Sequence, residues 1–161
     1  MMSALLKNKL VRNIASAVAV AVLGFVLLNL TFIFDALYQS VIRRLVGLFL
    51  QLGPDMSLYW FPPLMHASFV VVIGLISWLV FRSSLGVLYK ASYLTVPVAV
   101  VLVTVGMFLY RWQAVSYAVA GMLCVGTLYW FYRTKQPWLY HYVVVLVGLT
   151  LAVYALSGGE I

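Results

Sequence analysis

The sequence predicts an all-α integral membrane protein: a bundle of five transmembrane helices, with one further amphipathic helix lying in the membrane interface on the external side. Three observations carry that expectation. Of the 161 residues, 66% are hydrophobic and only 8% charged, against about 25% charged in ordinary soluble domains. The apolar residues gather into five runs, each close to the ~20 residues that cross a ~30 Å hydrocarbon layer. The ten basic residues stand singly or in pairs at the ends of those runs, where they orient the chain and meet lipid phosphates. That placement assigns the net charge of +7 to membrane lipids and leaves no role for nucleic acid. The length fits one bundle, so residues 1–161 read as a single transmembrane helical domain.

The first span is expected at 13–34, behind Lys7, Lys9 and Arg12. It exceeds the ~7–15 residues of a signal-peptide core and reads as a retained span. Ala17, Ala21 and Gly24 share a face on which a second helix can approach closely, and Asn29 can hydrogen-bond across helices.

The stretch 36–52 has a different pattern. Gln39, Ser40, Arg43, Arg44, Gly47 and Gln51 recur at steps of three and four, opposite Leu37, Tyr38, Val41, Ile42, Leu45, Leu48, Phe49 and Leu52. That periodicity is helical, and its wide apolar face suits the membrane interface with both arginines turned to phosphate and water. Asp35 can cap its start and Gly53-Pro54 can end it. No Gly or Pro intervenes before Gly47, so a helix continuous with the first span is the other geometry open to it.

Tyr59, Trp60 and Phe61 form an aromatic anchor at headgroup depth. Pro63 suits a helix's first turn, and the second span is expected at 64–81 with His66 near its start. The third span follows at 93–110, with Pro97 close enough to its beginning to bend it little. The link Arg111-Trp112-Gln113 is short enough to make spans three and four antiparallel neighbours. The fourth span, 114–132, is the least bulky. Ala114, Ala118 and Gly121 mark one of its faces, which predicts a place at the centre of the bundle. The fifth, 138–156, brings Gly148 and Ala152 as a small-xxx-small contact.

With the N-terminus inside, seven basic residues (Lys7, Lys9, Arg12, Arg82, Lys90, Arg133, Lys135) face the cytoplasm and three (Arg43, Arg44, Arg111) face outward. The positive-inside bias therefore predicts a cytoplasmic N-terminus and an external C-terminus in a plasma or inner membrane. The acids Asp35, Asp55 and Glu160 then all fall outside.

The residue inventory excludes several chemistries. Two histidines far apart and one cysteine, Cys124, provide no metal-ligand spacing and no internal disulfide, so neither metal nor cofactor is expected. No phosphate loop or nucleophile elbow occurs. No pair of carboxylates falls within the spans, as a cation-coupled pump would need.

The favoured reading is a non-catalytic subunit or assembly partner of a larger membrane complex. It would contact lipids and other membrane subunits, or copies of itself, through Ala17, Ala21, Gly24, Ala118, Gly121, Gly148 and Ala152. One alternative is a transport or binding component with an external aromatic pocket of Tyr59, Trp60, Trp112 and Tyr117. The other is an enzyme acting on lipid headgroups, with Arg43 and Arg44 holding phosphate and Asp55 or His66 as base. Arg43, Arg44, Asp55 and His66 together form the candidate site for an anion or a lipid headgroup.

Overall fold

The structure, a computed structural model, describes the backbone of residues 2–50 and 61–157, with side chains over 8–48 and 63–157. Among the described residues all regular structure is helical: α1 (Met2–Leu50), α2 (Phe61–Arg82), α3 (Val87–Phe108), α4 (Gln113–Arg133) and α5 (Trp138–Leu156). Each of the five is long and apolar enough to cross a membrane, which marks the chain as membrane-embedded. Helices α2 to α5 overlie the apolar runs read from the sequence.

The first helix departs from the expectation. α1 runs unbroken for 49 residues, about 73 Å at 1.5 Å per residue. The stretch 36–50 is its continuation, and a separate interfacial helix is not formed there. The physical reason is local. Once a helix is nucleated each added residue gains a backbone hydrogen bond, and nothing between Phe34 and Gly47 interrupts that ladder. Asp35 lies within the helix, so it caps nothing. Its Oδ2 accepts a hydrogen bond of 2.9 Å from Gln39 Nε2 one turn later. The expected stop at Gly53-Pro54 lies outside the described residues, as do Gln51 and Leu52.

α3 forms the centre, packed against all four other helices. It buries Ala91, Ser92, Leu94, Thr95, Val96 and Ala99, a mostly small set that lets its neighbours approach closely. The tightest approach is from α1, where Gly24 sits on Thr95: a Cβ at position 24 would lie 2.5 Å from Thr95 Cγ2. The main core joins Val20 of α1 to Ala91, Leu94 and Ala99 of α3 and to Leu139, Tyr140, Val143 and Val147 of α5. A smaller cluster joins Phe69 and Ile73 of α2 to Val96.

The expectation that α4 is central is corrected by the same packing. α4 buries no residue, and Ala118 and Gly121 are exposed. Lipid is as apolar as a protein core, so small side chains on a hydrophobic helix do not by themselves say which it meets. α5 instead returns against α3 and leaves α4 at the periphery.

The α4–α5 turn is a Schellman closure. Gln136 N–H donates to Phe131 O at 2.9 Å and Lys135 N–H to Tyr132 O at 3.2 Å. Lys135 takes the left-handed position with φ 52°.

Candidate functional site: an acidic cavity between α1, α2 and α3

Aromatic packing fixes the level at which α1 meets α2. The rings of Phe34, Tyr38 and Phe69 form a triangle with centroids 6.0 to 6.3 Å apart. Tyr38 Oη donates to Ser68 Oγ at 2.9 Å, and Ser68 in turn donates to Met65 O at 2.7 Å. Asp35, one helical turn before Tyr38, is thereby set well inside the end of the bundle at which α2 begins and α3 ends.

On the α3 side, His66 Nε2 lies 3.0 Å from Thr104 Oγ1. The Thr104 hydroxyl sends its one hydrogen to Val100 O at 2.6 Å. The histidine must therefore be the donor, and a neutral His66 ring keeps its lone pair on Nδ1.

These contacts frame a cavity of about 170 Å³. Leu28, Phe32, Phe69, Val100, Val103 and Met107 form its apolar walls, and its polar lining comes from Thr31, Asp35, Gln39 and His66. The Thr31 hydroxyl donates to Leu27 O at 2.8 Å. Asp35 Oδ1 is buried with no hydrogen-bond partner among the described residues. A carboxylate oxygen left so is costly, and ionisable groups inside helix bundles at membrane depth mark ligand sites and ion paths.

A second concavity is chemically different. Between α4 and α5 runs an open groove of about 500 Å³, bordered by Tyr117, Ala120, Gly121, Cys124, Gly148 and Ala152. Nothing lies within 4 Å of a Cβ built on Gly121, whereas one on Gly148 would meet Cys124 Sγ at 3.3 Å.

The residues singled out from the sequence separate accordingly. Arg43 and Arg44 are exposed on α1 and do not line the cavity. His66 does line it, bonded to a threonine and facing the same space as Asp35. Asp55, Tyr59 and Trp60 lie outside the described residues. Tyr117 borders the groove, while Trp112 is 68% exposed at the α3–α4 turn, beside the Arg111 Nε to Tyr110 Oη bond of 3.0 Å. Gly24 of α1 is buried against Thr95 of α3, Ala17 and Ala21 are half-buried, and Ala152 is exposed along the groove.

Sequence reasoning missed Asp35, Gln39 and Thr31 as one unit. The signal was present, because 31, 35 and 39 step by four and share one helix face.

Fold and site together define a small α-helical membrane protein with five apolar helices and an acidic cavity enclosed by three of them. No family model, no curated protein and no solved structure matches the chain.

Proposed function

We propose that this protein binds a small ligand within the bilayer-spanning bundle, as a binding or transport component, and that the α1–α2–α3 cavity is its site. The observation that carries this reading is Asp35: a carboxylate with one oxygen buried and unpartnered, facing a cavity with His66. The binding reading of the sequence thus moves from the external aromatics to a polar stripe on α1. Exposed Leu37, Val41, Leu45 and Leu48 on α1, flanked by Arg43 and Arg44, support contact of that stretch with lipid headgroups. The positive-inside count supports a cytoplasmic N-terminus, which opens this end of the bundle to the external side.

Cysteine accessibility tests the reading. In a Cys124→Ala background, Gln39→Cys and Met107→Cys should react with a membrane-impermeant thiol reagent from one side only. Val22→Cys, on an exposed apolar face of α1, should not react. Absence of labelling at 39 and 107 from either side removes the cavity as a ligand site.

A second reading, that of a subunit in a larger membrane assembly, is favoured by α4, which buries no residue of its own. Chemical crosslinking in native membranes tests it, with a discrete higher-mass species as the expected product and a lone monomer band as the refutation.

A further inference from the structure

We infer that the α1–α2–α3 cavity is built for an organic ammonium: a protonated amine carrying an apolar substituent. This deepens the binding reading above and rests on it.

The hydrogen-bond inventory sets the charge and polarity of the ligand. The hydroxyl hydrogens of Thr31 and Thr104 are committed to the carbonyls of Leu27 and Val100. The Gln39 amide N–H₂ group is turned to Asp35 Oδ2, and His66 Nε2–H to Thr104. What is left over is mainly acceptors: Asp35 Oδ1 and the Gln39 amide oxygen, joined by the Nδ1 lone pair of a neutral His66 ring, against the one remaining Gln39 N–H. A ligand that satisfies them must bring hydrogen-bond donors, as an ammonium group does through its N–H bonds. It should also bring positive charge, because no Lys or Arg lines the cavity.

The walls set the rest of the ligand. Phe32 and Phe69 present aromatic surface, and ring faces attract ammonium groups. Leu28, Val103 and Met107 give carbon surface for an apolar substituent. An inorganic cation would need a shell of oxygen ligands, and the described residues hold no group of three or more His, Cys, Asp or Glu. The ammonium can belong to a free amine or to the headgroup of an aminolipid, since both present the same N–H donors and charge.

The full chain in phosphatidylcholine nanodiscs, titrated calorimetrically with phenethylamine hydrochloride and with its neutral isostere phenethyl alcohol, tests the assignment. The amine should bind saturably and at least ~tenfold more tightly than the alcohol, because a charge-assisted hydrogen bond is roughly twice as strong as a neutral one. Asp35→Asn keeps an oxygen to accept from Gln39 and removes the charge, and should lower amine affinity at least ~tenfold. Met107→Trp fills the cavity from its rim, where Met107 is 45% exposed. It should abolish binding with Asp35 intact, which keeps the test decisive should Asp35→Asn fail to fold.

Equal binding of amine and alcohol, or amine binding that both variants leave unchanged, overturns the ammonium assignment. Absence of amine binding does so too. If one-sided labelling of Gln39→Cys persists, the ammonium assignment alone falls; if labelling is also absent, the binding reading falls with it. Replacing part of the phosphatidylcholine with phosphatidylethanolamine separates the two sources. Weakened phenethylamine binding identifies the headgroup, and unchanged binding identifies a free amine.

Discussion

Gly24→Ala is the sharpest test of the packing. The new Cβ would stand 2.5 Å from Thr95 Cγ2, 3.0 Å from Oγ1 and 3.3 Å from Cβ, with ordinary contact starting at 3.4 Å. Thr95 has little room to yield. It is 2% exposed, and its hydroxyl is held by Ser92 O at 2.7 Å and by Gly24 O at 3.4 Å. Either α1 and α3 separate by up to about 0.9 Å or the threonine rotates and loses those bonds. Overpacking of this kind costs ~1–3 kcal/mol, and the better helix propensity of alanine returns up to ~1 kcal/mol. The net expectation is a loss of about 1 kcal/mol, roughly a fivefold change in the unfolding constant. Reversible unfolding in mixed detergent–SDS micelles, followed by tryptophan fluorescence, measures it. Gly121→Ala, which meets nothing within 4 Å, should be neutral or slightly stabilising. Thr95→Ser removes the nearest methyl and keeps the hydroxyl, so it should recover most of the loss in the double variant. Strict additivity of Gly24→Ala and Thr95→Ser, or equal stability of the two glycine variants, would refute the close contact.

Three further outcomes follow from single contacts. Lys135→Gly relieves a left-handed backbone position that costs a non-glycine residue roughly 1–2 kcal/mol, and should raise the thermal midpoint; a lowered midpoint argues against the Schellman geometry. Tyr38→Phe removes the 2.9 Å bond to Ser68 and should destabilise by ~0.5–1.5 kcal/mol, with the clamp disproved by an unchanged unfolding curve. Replacing both Arg43 and Arg44 with Gln should leave stability within ~0.5 kcal/mol, as expected for exposed side chains, and a large drop would reveal a structural partner for them.

The helical membrane class and the position of four helices were legible because hydropathy and length act through the bilayer, which needs no tertiary context. Two features were not legible. The continuity of α1 depends on whether Asp35 caps a new helix or pairs with Gln39, and both uses suit the same residue. The peripheral place of α4 depends on which neighbour α5 chooses, and a uniformly apolar helix carries little record of that choice. His66 was visible as a candidate, but its partner Thr104 stands 38 positions away. Arg43 and Arg44 attracted attention by their charge, whereas the cavity is organised by three inconspicuous polar residues one helical turn apart.

The unbroken α1 has a mechanical consequence. It contains no proline to absorb a bend, and its closest fit to the bundle is the Gly24–Thr95 crossing. About that fulcrum, Asp35 stands roughly 16 Å out and Leu48 roughly 36 Å out at 1.5 Å per residue. A tilt of ~5° would carry Leu48 by ~3 Å and Asp35 by a little over ~1 Å, about the margin between a hydrogen bond made and one lost. Tyr38, bonded to Ser68 and packed on Phe69, lies beyond Asp35 on the same arm, so a tilt of that size has to break this contact before it can displace the carboxylate.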